Sequence, residues 1–214
     1  MTQAKKNKDG RISAQNKALI LAAAEKEFAK HGFNGTRIQQ VADAAGLPKT
    51  NVLYYFKSKH DLYVEVLEQI LSLWNSAFDE ASIDDDPADV LARYIAEKME
   101  ISRTKPEASK IFALEIINGA PNLHSFFKEQ HIHWMDGRVS LLQSWIDQGR
   151  LHTRDPYALL FHIWACSQHY ADFGAQIEVL KGEPFDEHAF SEATKDLIEL
   201  ILKGCGLHVP ERYK

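Results

Sequence analysis

The chain has 214 residues, of which 45% are hydrophobic and 26% are charged, as in ordinary soluble globular proteins. No apolar run approaches the ~20 residues that a membrane-spanning helix needs, and no apolar segment follows the basic amino terminus as it would in a secretory signal. Only two cysteines are present, Cys166 and Cys205, which excludes a disulfide framework and fits a reducing compartment. The sequence therefore predicts a cytoplasmic protein with no membrane partner.

Charge is distributed unevenly along the chain. The net charge is −5, yet residues 1–60 carry eleven basic and four acidic side chains, a balance of +7. The remaining residues carry 14 basic and 26 acidic side chains, a balance of −12. A cationic end on an acidic body favours a module that binds a polyanion, although a merely solvated basic surface is an equally good interpretation of the charge alone.

Three helices are predicted in the basic part. The first begins behind Ser13 and runs to Lys30, with Ile20, Ala24 and Phe28 on its buried face, and Gly32 stops it in the left-handed conformation. The second begins with Thr36 as its N-cap and ends at Gly46. The third begins at Pro48 and reaches about Tyr55, because the fixed φ of proline suits a first helical turn.

Helical spacing continues through the acidic body. A fourth helix follows Ser58, and further helices are predicted over about 87–103, 106–118, 122–148, 157–180 and 189–203. The run Asp84–Pro87 is interpreted as a helix cap rather than a metal site. The predicted fold class is all-α, with about nine helices. A DNA-binding domain with a short disordered amino-terminal arm is predicted over residues 1–60, and a second domain over 61–214.

Residues 36–56, TRIQQVADAAGLPKTNVLYYF, predict a helix-turn-helix. The second helix of such a motif exposes polar groups at its start, here Lys49, Thr50 and Asn51, where Lys suits guanine and Asn suits adenine. Backbone N–H groups and cations at helix starts hold phosphates. The phosphate candidates are Thr36, Arg37, Lys57 and Lys59.

This segment, with ILAAAEKEFAKHGFNGTR before it and KSKHDLYVEVL after it, closely resembles the DNA-binding domain of the TetR family of bacterial repressors. The resemblance covers residues 17–68 without a gap and implies that the third helix enters the major groove. Two positions depart from the family pattern. Pro48 stands where a polar residue is usual, and Leu53 stands where the family usually has a tyrosine that contacts phosphate, so Tyr54 or Tyr55 is expected to take that role.

The second domain resembles a pyrimidine-sensing subgroup of the same family, through LYVEVLEQILSLW, EIINGAP and IWACSQHYADFGAQIEVL. The resemblance implies a uracil- or thymine-like effector. Such a ligand needs aromatic faces and amide groups, because its polar atoms require partners when buried. Trp164 and Gln168 are four residues apart and share a helix face. The expected ligand-binding residues are Trp74, Phe78, Phe112, Glu115, Asn118, Trp164 and Gln168.

The family resemblance further implies a homodimer that pairs through its last two helices and binds a palindromic operator in double-stranded DNA. Effector binding is then expected to weaken operator binding. The candidate dimerisation residues are Phe161, Ala165, Leu197, Ile201 and Leu202.

Other functions have less support in the sequence. The pair His131 and His133 cannot bind one metal ion from one helical face, and no motif of a metalloprotease, serine hydrolase or phosphate-binding loop occurs. No catalytic residue, metal or cofactor is therefore expected. Two alternatives stay open: a TetR-type sensor of another aromatic or lipophilic effector, and a helical protein-interaction module without DNA.

Overall fold

Helices form nearly all the regular structure in the computed structural model, which describes the backbone of residues 2–214. The surroundings of side chains are described for residues 11–214 apart from Ala77, Ser125 and Gln130. The side chains of the predicted amino-terminal arm lie outside the described residues. Within residues 2–214, no helix is both long and apolar enough to cross a membrane.

Eleven α-helices follow one another within residues 2–214, with a π-helical turn before α8 and a 3-10 turn near the carboxyl end. They are α1 (Thr2–Gly35), α2 (Ile38–Ala45), α3 (Lys49–Tyr55), α4 (Lys59–Asp79), α5 (Pro87–Thr104), α6 (Pro106–Ile117), α7 (His124–Phe126), the π turn (Phe127–His131), α8 (Ile132–Asp147), α9 (Pro156–Asp172), α10 (Gly174–Lys181), α11 (Glu187–Gly204) and the 3-10 turn (Glu211–Tyr213).

The all-α class is confirmed, whereas the expected number of about nine helices is too low. Two predicted helices are each divided. The helix expected to end at residue 148 contains the π turn between α7 and α8. The helix expected over 157–180 breaks at Phe173, whose φ of −117° and ψ of 23° interrupt the α-helical path between α9 and α10. Apolar periodicity alone does not reveal such breaks, because the pattern continues across them.

Contacts between Cα atoms divide the chain into two units, each described by itself. The amino-terminal unit comprises residues up to 70 together with 110–123, and the carboxy-terminal unit comprises 71–109 and 124–214. The predicted boundary at residue 60 stays a prediction. Helix α4 has residues in both units.

In the amino-terminal unit, α1 buries Ile20, Ala24 and Phe28 as the spacing predicts. Its start is at Thr2 rather than behind Ser13. Gly32, with a φ of 67°, breaks its last turn, and Thr36 follows as a buried residue. The N-cap of α2 is therefore Arg37 and not Thr36, so that prediction is wrong by one residue.

The carboxy-terminal unit has a core built mainly from α5, α9 and α11. At the start of α5, the Asp86 carboxylate accepts a hydrogen bond of 2.9 Å from the Ala88 N–H, with Pro87 in the first turn. Within the predicted acidic run, Asp86 is thus the residue that caps the helix. Asp155 caps α9 in the same way, through the Tyr157 N–H at 2.9 Å.

Candidate functional site

Helix α3 presents a polar surface on an apolar anchor. Val52 and Phe56 are buried, whereas Lys49 and Thr50 are exposed and Asn51 is half-buried. Helix α3 has only seven residues. The packing of its buried face therefore holds the polar residues at its start in place. The arrangement has the geometry that major-groove recognition requires, with donors and acceptors on the outer side of a held helix.

The turn before α3 is set by Gly46, which adopts a left-handed conformation with a φ of 65°. Its N–H and that of Leu47 donate to the Asp43 and Ala42 carbonyls at 3.1 and 3.0 Å. These bonds end α2 and direct the chain into α3. A residue with a side chain is strained at such a φ, so Gly46 is a structural requirement of the turn.

Several candidate phosphate contacts lie on the surface of the amino-terminal unit. Arg37 and Lys57 are exposed. The Tyr54 side chain is 82% exposed, and its ring packs edge-on against the half-buried Tyr55 ring at 5.2 Å. Of the two tyrosines, Tyr54 is therefore the more accessible to a ligand.

Thr36 and Lys59 have partners within the protein instead. The Thr36 hydroxyl lies 2.8 Å from the Gly32 carbonyl oxygen and 3.1 Å from that of Glu27. The Lys59 ammonium donates to the carbonyl oxygens of Phe33 and Thr36 at 2.8 and 3.1 Å. A cation at the carbonyl end of a helix is a stabilising arrangement, so both side chains hold the end of α1 in place.

Four of the seven predicted ligand-binding residues lie in the carboxy-terminal unit, as two pairs that each span one helical turn. Trp74 and Phe78 are on α4, and Trp164 and Gln168 are on α9. A third pair, Tyr94 and Lys98 on α5, joins them. We call these six residues the sensor cluster: Trp74, Phe78, Tyr94, Lys98, Trp164 and Gln168.

Contacts connect five of the six members across the three helices, and Gln168 is placed beside them by its position one turn after Trp164. The Trp164 indole N–H donates to the Tyr94 hydroxyl at 2.7 Å. The Tyr94 ring packs on the Phe78 ring with centroids 5.0 Å apart. The Lys98 ammonium lies 4.8 Å from the Trp74 ring centroid and 5.7 Å from that of Tyr94. The structure thus brings together aromatic faces and polar groups that the sequence separates widely.

Tyr94 and Lys98 are the members that sequence reasoning missed. Lys98 follows the buried Leu91 and Ile95 on the inward face of α5. A charged residue at a core position of the helical pattern could therefore have identified it from the sequence. Burial lowers the pKa of the Lys98 ammonium to about 7 and raises the pKa of the Tyr94 hydroxyl. Perturbed groups of this kind concentrate at functional sites.

Two further aromatic rings pack next to Trp164. The Trp134 ring lies 6.4 Å from that of Trp164 at an angle of 32°, and the His131 ring stacks on Trp134 at 5.4 Å and 12°. Burial lowers the pKa of His131, which favours its neutral, stacking form. His131 ends the π turn, a rare element that is frequent at functional sites.

The other three predicted ligand residues lie in the amino-terminal unit. Glu115 is buried and accepts hydrogen bonds from the Tyr63 hydroxyl at 3.2 Å and the Asn122 backbone N–H at 2.6 Å. Its carboxylate is therefore satisfied within the protein. The exposed Asn118 donates to the Leu114 carbonyl at 2.6 Å, and Phe112 is half-buried.

The candidate dimerisation residues divide into two groups. Phe161 and Ala165 are exposed on α9 and Ile201 is half-buried on α11, whereas Leu197 and Leu202 pack in the core. The side chains of Leu197 and Leu202 face the inside of their own subunit, because α11 turns that stripe towards α5 and α9. Leu200, which the sequence interpretation omitted, is 67% exposed.

No group of three or more metal-ligating side chains occurs among the side chains that the structure describes. The histidines 131 and 133 lie in the π turn and in α8, at half-buried and exposed positions.

Comparison with known proteins divides the chain into two matched regions. Residues 20–66 match the model of bacterial regulatory proteins of the tetR family. Residues 67–208 match the model of the carboxy-terminal region of YcdC-like proteins. The two regions meet within α4.

Individual relatives extend over most of the chain. The HTH-type transcriptional regulator RutR of Escherichia coli strain K12 is 40% identical over 90% of this chain and 91% of its own. The HTH-type transcriptional repressor NicS of Pseudomonas putida is 34% identical over 61% of each chain. The crystal structure of a transcriptional regulator from Streptomyces coelicolor superposes with a TM-score of 0.67 at 25% identity, covering 87% of this chain and 97% of that one.

Proposed function

Since the chain belongs to the TetR family of bacterial regulatory proteins, we propose that it is a repressor whose effector is a uracil- or thymine-like pyrimidine. As a member of the family it is a ligand-responsive, DNA-binding transcriptional regulator and not an enzyme. Regulators of this family act as dimers on operator DNA. The repressor role, the effector and the site residues are our proposals, as is a cytoplasmic location beside the chromosome.

Operator recognition is assigned to α3. Lys49, Thr50 and Asn51 meet base edges, while Arg37, Tyr54 and Lys57 meet phosphates. All six side chains are exposed or half-buried, whereas the apolar side of α3 is packed. The division follows from position, because the first three begin the recognition helix, whereas the other three lie just before α2 or at and beyond the end of α3. A dimer places two such helices ~34 Å apart on one face of the duplex, which requires a palindromic operator.

A pyrimidine effector is supported above all by the mixed chemistry of the sensor cluster. Trp74, Phe78 and Trp164 supply flat apolar faces, while Lys98 and Gln168 supply polar groups. The Gln168 amide both donates and accepts hydrogen bonds, as the edge of an imide ring requires. Its amide forms no hydrogen bond with the side chains or backbone that the structure describes, so it is available to a ligand.

A lipophilic effector fits this cluster less well. An acyl chain offers no partner for Lys98 or Gln168, and polar groups that stay buried without partners oppose binding. A small planar heterocycle satisfies both groups and leaves its faces to the aromatic rings.

Effector binding is transmitted through α4. At the start of this helix, Lys59 donates hydrogen bonds to backbone carbonyl groups at the end of α1. Helix α4 carries Trp74 and Phe78 of the sensor cluster near its other end. A ligand that contacts Trp74 favours one placement of α4, and thereby one spacing of the two recognition helices in the dimer. Couplings of this kind are typically ~1–3 kcal/mol, which changes DNA affinity ~5–150-fold.

The proposal is tested by substituting Gln168 with Leu. Fluorescence anisotropy measures binding to operator DNA, and calorimetry measures binding of uracil and thymine. We expect the wild-type protein to bind a pyrimidine and release DNA. The Gln168→Leu variant should keep its DNA affinity and lose the response. Undiminished pyrimidine binding by the variant would remove Gln168 from the site, and no pyrimidine binding by the wild-type protein would refute the proposed effector.

A further inference from the structure

Lys98 is a charged residue in an interior position of the carboxy-terminal unit. Only 4% of the surface of Lys98 is exposed, and its neighbours on α5, Tyr94, Ile95 and Met99, are buried as well. Lysine is rarely found at such a depth unless its charge is paired. The surroundings of the ammonium group therefore decide what this residue does.

Two aromatic rings lie close to the ammonium group. Its nitrogen lies 4.8 Å from the Trp74 ring centroid and 5.7 Å from that of Tyr94. Ring faces attract a cation, but they accept none of its three N–H donors in the way an oxygen does. In the part of the chain whose side chains are described, the ammonium forms no hydrogen bond and no ion pair.

Two polar groups of the sensor cluster are hydrogen-bonded to each other. The Tyr94 hydroxyl accepts the hydrogen bond of the Trp164 indole N–H at 2.7 Å. Burial is the only cause that shifts the pKa of Lys98, so no carboxylate in the described structure stabilises its charge. An unpaired, buried ammonium group opposes folding, and a methionine of similar length fits such a position without that cost.

We propose that Lys98 is the specificity-determining donor of the effector site, and that it binds a ring carbonyl oxygen of the effector. The inference rests on the proposed pyrimidine function and narrows it to a dioxo heterocycle. In the complex, the ligand oxygen supplies the acceptor that the protein lacks, while the Trp74 ring packs against the plane of the heterocycle.

The two polar side chains of the cluster then recognise different parts of the ligand. Gln168 forms hydrogen bonds with an edge of the ring where a donor and an acceptor are adjacent, and Lys98 donates to a carbonyl oxygen only. A ring without that oxygen leaves the ammonium without a hydrogen-bond acceptor, as it is among the described residues of the free protein. Sites built around such donors discriminate strongly against analogues that lack the acceptor.

Calorimetry with three ligands and two proteins tests the assignment. The ligands are uracil, pyrimidin-4(3H)-one, which lacks the oxygen at C2, and pyrimidin-2(1H)-one, which lacks the oxygen at C4. The proteins are the wild type and Lys98→Met. Hydrogen bonds to charged groups predict that Lys98→Met weakens uracil binding by roughly 10- to 100-fold. One of the two analogues should bind the wild type more weakly by a similar factor, yet show little further loss in Lys98→Met.

Lys105→Met is the matched control, since Lys105 is an exposed lysine directly after the same helix. It should bind uracil like the wild type. Circular dichroism and thermal unfolding establish that Lys98→Met is folded, and we expect its stability to equal or exceed that of the wild type.

Two results overturn the assignment while the pyrimidine function stands. One is uracil binding by folded Lys98→Met within threefold of the wild type. The other needs no variant: both analogues bind the wild type within threefold of uracil. If the wild type binds none of the three ligands, the proposed pyrimidine function fails and the role of Lys98 fails with it.

Discussion

The Tyr63 hydroxyl donates a hydrogen bond of 3.2 Å to the Glu115 carboxylate in the interior of the amino-terminal unit. The same carboxylate accepts from the backbone and side-chain nitrogens of Asn122 at 2.6 and 3.0 Å. Burial is the largest cause that raises the pKa of Tyr63, followed by the charge and hydrogen bond of Glu115. The network joins α4 to α6 and to the turn after it, so the carboxylate of Glu115, a predicted ligand contact, forms its hydrogen bonds within the protein.

The first prediction concerns Glu115→Gln. The amide cannot accept all three donors, so one buried donor loses its partner and the free energy of unfolding falls by roughly 1–3 kcal/mol. Urea unfolding measures the change, with the exposed Glu107→Gln on the same helix as the control. Uracil affinity should stay the same in both variants. A loss of uracil affinity with unchanged stability would return Glu115 to the effector site.

The second prediction concerns the pH dependence of stability at Lys98. Its pKa is about 7 in the folded protein against 10.5 for a free lysine. Below pH 7 both states carry the proton, and the full cost of the buried charge is present. Above pH 7 the folded state has lost the proton that the unfolded chain keeps, so the free energy of unfolding rises by up to roughly 1.4 kcal/mol per pH unit.

This contribution is isolated by comparing the wild type with Lys98→Met in urea unfolding between pH 6.5 and 9.5. The variant should be more stable at the low end, and the difference should shrink as the pH rises. Other titrating groups are common to both proteins and cancel. A difference that is constant over this range would contradict an unpaired ammonium at this position.

The third prediction separates two neighbouring lysines. Lys57 is exposed, whereas the Lys59 ammonium donates to the carbonyl oxygens of Phe33 and Thr36. Lys57→Met should therefore weaken DNA binding and reduce the salt dependence by about one counterion, with an unchanged free energy of unfolding. Lys59→Met should lower the free energy of unfolding by roughly 1–3 kcal/mol. Anisotropy at several salt concentrations and urea unfolding distinguish them, and a reversed pattern would reverse the assignments.

The fourth prediction concerns the dimer. Phe161 and Leu200 are 52% and 67% exposed on α9 and α11, which leaves two large apolar side chains available to a partner subunit. Phe161→Asp and Leu200→Asp should each give folded monomers at micromolar concentration by sedimentation equilibrium. Leu197→Asp should instead unfold the protein, because this side chain is in the core. Dimers that persist in both surface variants would place the interface elsewhere.

Local features of the fold were predictable because they depend on neighbours in sequence. The buried stripe of α1, the left-handed turn at Gly46 and the cap at Asp86 all follow from spacing within one or two helical turns. The exposed start of α3 follows from the same periodicity. The break at Phe173 was missed, since the apolar pattern runs through it.

Partners that are distant in sequence were not predictable in the same way. Glu115 meets Tyr63 across 52 positions, and Trp164 meets Tyr94 across 70. The sequence proposed Trp74 and Trp164 as ligand contacts, which stays a prediction, but only the fold shows that Tyr94 and Lys98 of α5 lie beside them. Whether a polar side chain is satisfied within the protein or available to a ligand depends on such tertiary contacts.

The fifth prediction addresses α3 itself, on which the whole account depends. A triple substitution of Lys49, Thr50 and Asn51 by alanine removes its outward donors and acceptors and leaves the buried Val52 and Phe56 in place. The exposed Lys110→Ala in the same unit is the control. The most direct measurement is fluorescence anisotropy with the genomic fragment that the wild-type protein selects, against an equal excess of unrelated duplex. We predict that specific affinity falls by at least roughly 100-fold while the variant keeps its fold and the control binds as the wild type does. Specific affinity that is unchanged in the folded triple variant would contradict recognition of the operator by this helix.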